Sequence, residues 1–174
     1  MHGELLKRVP LFEGLSNNEL TALSDVATLR VFPKDRVVIM AAEEGDSLFV
    51  IHQGQVKVSI VSEDGREVIL SILDEGNFFG EMSLLDGHPR SANVTTTTET
   101  ELLMVRRADF LHFIQKSPQT AIKLLSVLAN RLRKTDRKIE GLALSDVTGR
   151  ITQTLLQLAE EQGSPTLDGV LIKD

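Results

Sequence analysis

The sequence predicts a mainly β domain followed by a long helix that pairs with a second copy of the chain. Between residues 29 and 106, short β-rich runs are separated by turn residues at intervals of roughly 8 to 12 residues. This spacing is typical of a small sandwich, jelly roll or barrel. After Pro118, apolar residues recur at alternating steps of four and three, as in a coiled coil. The 174 residues, 41% of them hydrophobic, suffice for such a core.

The first predicted element is a short helix that begins at a capping box. The Ser16 hydroxyl can accept a hydrogen bond from the backbone N–H of Glu19, and the Glu19 carboxylate can reach back to Ser16. Leu20, Leu23 and Val26 then recur at helical spacing, so this helix has one apolar face.

Six apolar runs follow, and each is predicted to be a β-strand. They are residues 29–32, 37–40, 48–52, 56–61, 68–73 and 102–105. Residues tolerant of tight turns separate them, among them Glu44-Gly45-Asp46. Glu63-Asp64-Gly65-Arg66 lies between two strands and is predicted to be the turn of a hairpin.

Two helices are predicted after the last strand. The first covers residues 108–114 and ends before Pro118, because proline disfavours helix in the residue that precedes it. The second begins at Pro118 and carries a heptad seam made of Ala121, Leu125, Leu128, Leu132, Thr135, Ile139 and Leu142. Such a seam indicates a homodimer through this helix, although the same stripe could face the chain's own β-domain.

The C-terminal residues are predicted to begin another domain. Ser145-Asp146 is a suitable helix N-cap, which places a hinge at residues 141–146 and starts a further amphipathic helix that ends near Gly163. Residues from 147 onward are too few to enclose a core. The predicted domains are therefore a β-domain at 1–118, a dimerisation helix at 119–145, and the start of a domain at 146–174 whose remainder is missing.

Composition excludes several classes of protein. Without cysteine there are no disulfides, thiolate metal sites or cysteine nucleophiles. No apolar run approaches the ~20 residues of a membrane span, and no secretion signal is present, so a cytoplasmic protein is predicted. The histidines are scattered, which argues against the metal site of a cupin-like enzyme, and no nucleophile elbow occurs. We predict neither catalysis nor a metal.

The charge is unevenly distributed along the chain. The net charge is −6, with 11 basic and 18 acidic residues at positions 1–118 but 8 and 7 at positions 119–174. A general polyanion binder would not have this balance, and the basic excess between Arg131 and Lys138 is typical of a solvated helix face.

Residues 77–93 form a segment that strands alone do not require. Gly80 permits a close backbone approach, and residues 81–85 can form a helical turn whose free N–H groups favour an anion. Arg90 adds a fork of N–H donors that matches a phosphate, and the Glu81 carboxylate suits a sugar hydroxyl. The combination points to a ribose phosphate. The alternative is a surface turn with a Glu–Arg ion pair.

The same segment resembles the phosphate-binding cassette of cyclic-nucleotide-binding domains. The matching residues are FGEMSLL at 79–85 and PRSA at 89–92. Residues 128–136 and 142–156 are similar to the dimer helix and the next helix of the catabolite activator protein (CRP/FNR) family. The resemblance covers nearly the whole chain and implies a double-stranded β-helix, or jelly roll, for the β-domain.

The resemblance implies a role for each matching residue of the cassette. Gly80 and Glu81 would contact the ribose, Glu81 through the 2′-hydroxyl. Arg90 and Ser91 would hold the cyclic phosphate. Met82 and Ser83 would belong to the same ligand-binding site.

Three further residues are implied on the dimer helix. Arg131 would approach the nucleotide, and Thr135 matches the position that contacts the adenine. Asp136 stands where the family has a serine that the partner subunit presents. This departure leaves cAMP, cGMP and a cyclic dinucleotide open as ligands.

The function implied by the resemblance is allosteric sensing of a cyclic nucleotide, with cAMP expected, in a dimeric bacterial transcription regulator. The ligand would reposition the dimer helices and hence the DNA-binding domains. The expected partners are a second copy, DNA through a winged helix-turn-helix mostly absent from this chain, and RNA polymerase in the full-length protein. The alternative is a dimerisation module that binds no nucleotide, or a sensor of another small molecule.

Overall fold

The structure, a computed structural model, describes residues 6–7, 9–13, 15–144, 147–166 and 169–172. The chain divides into two compact units, residues 1–124 and residues 125–174. The boundary lies inside the longest helix, so that helix contributes its first residues to one unit and the rest to the other.

The first unit is built on two four-stranded antiparallel sheets. One has the order β1-β8-β3-β6, with β1 at Thr28–Phe32, β3 at Ser47–Gln53, β6 at Phe78–Phe79 and β8 at Thr100–Arg106. The other has the order β2-β7-β4-β5, with β2 at Val37–Ile39, β4 at Gln55–Val61, β5 at Glu67–Asp74 and β7 at Asn93–Thr96. This confirms the predicted jelly roll, since every pairing is antiparallel and each sheet draws strands from both halves of the domain.

The core of this unit lies between the two sheets. One buried cluster there draws side chains from both sheets, namely Ile39, Phe49, Ile51, Val56, Phe79, Val94 and Leu102. The rings of Phe49 and Phe79 stack with their centroids 5.3 Å apart. Because Phe79 is the last residue before Gly80, this stack anchors the start of the cassette in the core.

The six predicted strands are all present, and the hairpin turn is confirmed. Ser62 donates its backbone N–H to the carbonyl of Arg66, and Gly65 donates to that of Ser62. Two strands were missed, β6 and β7. The first has only two residues and the second is rich in polar residues, so neither has the apolar run by which the others were recognised.

Helices complete the first unit. They are a 3-10 turn at Pro10–Phe12, α1 at Asn17–Val26, α2 at Glu81–Asp86, α3 at Arg107–Lys116 and the start of α4, which spans Pro118–Leu144. The capping box is confirmed, because Ser16 donates its backbone N–H to the Glu19 carboxylate at 2.9 Å and its hydroxyl accepts from the Glu19 N–H at 3.3 Å. Phe12 packs edge-on against Phe113 and joins the N-terminal turn to α3.

The second unit contains the rest of α4, then α5 at Val147–Gln162 and a hairpin of β9, Gly163–Thr166, and β10, Gly169–Ile172. Helix α5 packs against both strands. The helix predicted after residue 146 is confirmed, whereas neither β9 nor β10 was predicted. The proposed cap at Ser145-Asp146 lies outside the described residues. Among the helices that the structure describes, none has the length and apolar character needed to cross a membrane.

Candidate functional site

The cassette begins where β6 gives way to α2. Gly80 lies between them with φ +83°, a left-handed conformation that side-chain-bearing residues rarely adopt. A Cβ there would lie 2.6 Å from Nη1 of Arg90 and 3.0 Å from the carbonyl oxygen of Ser47. Both the backbone conformation and the close approach therefore require glycine at this position.

Arg90 is the central residue of the site, with 8% of its surface exposed. Its Nη1 donates to the carbonyl of Gly80 and its Nη2 to the carbonyl of Ser47, each at 2.7 Å. A guanidinium has five N–H donors, and these two bonds fix its plane. The fork is therefore held in one orientation by backbone groups.

Two acidic residues, Asp46 and Glu81, lie near the Arg90 guanidinium. Burial lowers the pKa of Arg90, while the negative charges of Asp46 and Glu81 act in the opposite direction and raise it. The Asp46 carboxylate also accepts the Ser47 hydroxyl at 2.7 Å. An arginine stays protonated at any ordinary pH, so the site holds a desolvated, permanently positive fork.

The remaining cassette residues lie around the fork. Glu81 and Ser83, in the first turn of α2, are both buried, Glu81 with 3% of its surface exposed. Ser91 is exposed and donates its hydroxyl to the sulfur of Met82 at 3.6 Å. The structure thus brings together the six predicted cassette residues, Gly80, Glu81, Met82, Ser83, Arg90 and Ser91.

A cavity of about 240 Å³ adjoins the cassette. Its lining residues are Glu44, Gly45, Ser83, Gly87, His88, Pro89 and Arg107. Of the predicted ligand-binding residues, only Ser83 contributes to it. Among the residues that the structure describes, no three histidine, aspartate or glutamate side chains come together as a metal site would require.

Comparison with known proteins identifies the family. The cyclic nucleotide-binding domain family matches residues 29–117. A "CRP-like cAMP-activated global transcriptional regulator" of Mycobacterium tuberculosis is 36% identical over 161 residues, covering 92% of this chain and 72% of that protein. The chain belongs to the CRP-like family of cyclic nucleotide-binding transcriptional regulators.

Solved structures agree with the CRP-like fold. The catabolite activator protein of Thermus thermophilus superposes with a TM-score of 0.68 at 26% identity, covering 94% of this chain and 93% of that one. The c-di-GMP responsive regulator CLP of Xanthomonas campestris superposes with a TM-score of 0.73 at 27% identity, covering 84% and 73%.

The other three predicted residues of this CRP-like chain lie on α4, in the second unit. Thr135 donates its hydroxyl to the carbonyl of Arg131 at 3.0 Å, one helical turn earlier. Arg131 is half-buried, and Thr135 and Asp136 are exposed. Their roles toward a ligand stay predictions.

No sequence pattern indicated the loop that holds Arg90. This loop, residues 40–46, is here called the β2–β3 loop. The backbone N–H of Arg90 donates to the carbonyl of Glu43 at 2.8 Å, and the N–H of Ala42 donates to the carbonyl of Arg90 at 2.9 Å. Glu44-Gly45-Asp46 was recognised only as a turn. The sequence pattern relates neighbouring residues, and nothing in it links this turn to an arginine more than 40 positions later.

Proposed function

We propose that this chain is a cAMP-sensing module of a homodimeric transcription regulator and that it catalyses no reaction. The observation that carries the proposal is the buried Arg90 fork, held by two carbonyls beside the buried Glu81 carboxylate. A cyclic nucleotide presents an anionic phosphate and a ribose hydroxyl at a short, fixed separation. One fixed cation and one carboxylate acceptor complement that pair of groups.

Within the cassette, Arg90 and Ser91 bind the cyclic phosphate. Three N–H groups of the Arg90 guanidinium remain after its two carbonyl bonds. The Ser91 hydroxyl exchanges its weak bond to the Met82 sulfur for a phosphate oxygen. Glu81 accepts the ribose 2′-hydroxyl, Gly80 allows the sugar to approach the backbone, and Ser83 completes the site.

The dimer helix supplies the proposed link to regulation. Arg131 approaches the nucleotide, Thr135 contacts the adenine, and Asp136 is presented by the partner subunit. A ligand that bridges the β-domain and two helices favours one packing of those helices, and so changes how the domains beyond them are oriented. The proposed domains are 1–118 for the ligand, 119–145 for dimerisation and 146–174 for the start of the DNA-binding part.

The proposed partners follow from this arrangement. On α4 the seam residues Leu125, Leu132 and Ile139 are largely exposed in the single chain, as expected of a surface that a second copy covers. In the whole regulator, the further partners are DNA and RNA polymerase. Such a regulator acts in the cytoplasm.

A cyclic dinucleotide is the second candidate ligand. The regulator CLP, whose solved structure shares this fold at 27% identity, is c-di-GMP responsive. Asp136 bears on this choice, since a carboxylate near the base can accept the adenine amino group or reject cAMP altogether.

Isothermal titration of cAMP, cGMP and c-di-GMP into the chain tests the proposal. We expect cAMP to bind, and Arg90→Ala to weaken binding by about 1.5 to 3 kcal/mol, as for other hydrogen bonds to charged groups. Arg30→Ala is the matched control, because Arg30 is exposed on β1 and should leave affinity unchanged. A folded dimer that releases heat with none of the three ligands would overturn the proposal, and c-di-GMP alone would select the second candidate.

A further inference from the structure

We infer that Gly45 of the β2–β3 loop is a positioning residue for Arg90, and that its missing side chain makes the space in which the guanidinium is seated. The inference deepens the proposed function and rests on it, since the fork of Arg90 is the proposed phosphate ligand. It places part of the control of nucleotide affinity outside the cassette.

The space around Gly45 is already filled by the residues that it faces. A Cβ on Gly45 would lie 2.5 Å from Nε and 2.6 Å from Cζ of Arg90, and 2.7 Å from Cβ of Ser83. All three distances are shorter than a carbon atom tolerates. The glycine is therefore required by the guanidinium on one side and by α2 on the other.

Backbone conformation does not explain this glycine. Gly45 has no positive φ, unlike Gly80, so the left-handed conformation that favours glycine does not account for it. The effect of a substitution at Gly45 is thus expected to come from the collision of side chains, which makes the site suitable for a clean test.

Arg90 cannot move aside without losing bonds to the same loop and strand. Its backbone N–H donates to Glu43 and its carbonyl accepts from Ala42. Its Nη2 donates to the carbonyl of Ser47, two residues after Gly45. Because the arginine is held at its backbone and at its tip, a methyl group at position 45 must tilt the guanidinium or push the loop away from it.

A tilted guanidinium no longer directs its remaining N–H groups toward the phosphate. Overpacking of a tight site forces side chains out of their favoured rotamers. We therefore expect Gly45→Ala to bind cAMP about tenfold more weakly than the wild type. Gly65→Ala is the control, because a Cβ there meets nothing within 4 Å; its positive φ strains only the hairpin turn, so it should lower stability and leave the affinity unchanged.

A double-mutant cycle with Arg90→Ala shows whether Gly45 acts through the arginine. The free energy of unfolding is measured for the wild type, both single variants and the double variant. We expect Gly45→Ala to destabilise the wild type more than it destabilises Arg90→Ala, in which the guanidinium is gone. Equal destabilisation in both backgrounds would overturn the inference, because Gly45 would then act through Ser83 or the loop alone.

The two measurements separate this inference from the proposed function. If the wild type binds cAMP and Gly45→Ala binds it equally well, the inference is wrong and the proposed function stands. If the wild type binds no nucleotide, the proposed function is wrong, and the unfolding cycle decides by itself whether Gly45 positions Arg90.

Discussion

Arg90 shows how one side chain can belong to a candidate ligand site and to the fold at the same time. Its fork is fixed by the carbonyls of Gly80 and Ser47 and its backbone by the β2–β3 loop. A ligand that met a freely rotating arginine would have to order it, at a cost in rotamer entropy. Here the protein has ordered the side chain already, so that cost would not oppose the proposed binding of a nucleotide.

The role of Glu81 is tested by changing one group on each side of the proposed contact. With 2′-deoxy-cAMP, the wild type should lose about 1.5 to 3 kcal/mol of binding, because a buried carboxylate is left without its hydroxyl partner. Glu81→Gln has the same shape without the charge, so this variant should lose less binding free energy than the wild type when 2′-deoxy-cAMP replaces cAMP. Titration of both ligands into both proteins measures the difference. Identical losses would show that Glu81 does not contact the 2′-hydroxyl.

Ala42 is the residue of the β2–β3 loop whose backbone is strained. It has φ +67°, and its N–H donates to the carbonyl of Arg90. The left-handed conformation costs an alanine roughly 1 to 2 kcal/mol, and glycine avoids this strain. Glycine also loses more conformational entropy on folding, which offsets part of that gain. Ala42→Gly should therefore raise the free energy of unfolding in urea by up to ~1 kcal/mol.

Asp35 provides the comparison for Ala42→Gly. It also has a positive φ, 61°, but aspartate tolerates this conformation better than alanine does. Asp35→Gly should therefore gain less stability than Ala42→Gly. A clear loss of stability in Ala42→Gly would mean that its methyl group contributes packing that outweighs the strain.

At the scale of elements, α4 is the helix that we propose to pair with a second copy of the chain. Leu132 is in the middle of the seam and is 62% exposed in the single chain. Leu132→Glu would place two carboxylates together in the centre of the proposed dimer. Since loss of a buried leucine alone costs about 2 to 5 kcal/mol, we expect the dimer dissociation constant to rise at least about 100-fold in sedimentation experiments.

Ser126→Glu is the control for the dimer prediction. Ser126 is exposed and lies off the heptad seam of the same helix, so a carboxylate there should leave the dimer intact. A wild-type chain that is monomeric at every concentration would contradict the dimer itself. Equal weakening by both variants would show that the seam is not the interface.

Local chemistry made most elements predictable. The Ser16–Glu19 capping box and the proline at the start of α4 act within a few residues, and both are found where the sequence indicates. The β4–β5 hairpin is equally local, because its turn residues close it directly. Strands β6 and β7 were missed because they are defined by their partners β3, β2 and β4 rather than by a pattern of their own.

At the scale of the whole molecule, the site depends on the closure of the jelly roll. Strands β3 and β6 pair through Phe49 and Phe79, which stack in the core. This pairing brings Ser47, at the start of β3, next to Gly80, directly after β6. Arg90 then spans the two carbonyls. The geometry of the candidate phosphate site is thus set by the packing of the barrel.

The sequence by itself determined the class of the fold, the cassette residues and the heptad pattern of α4, because short β-rich runs, heptad spacing and a contiguous motif are all features of neighbouring residues. Only the tertiary structure decided how Arg90 is held. Its carbonyl partner Ser47 and the contacting Gly45 lie more than 40 residues earlier in the chain. Contacts of that kind are created when the sheets close, and no local preference of the chain encodes them.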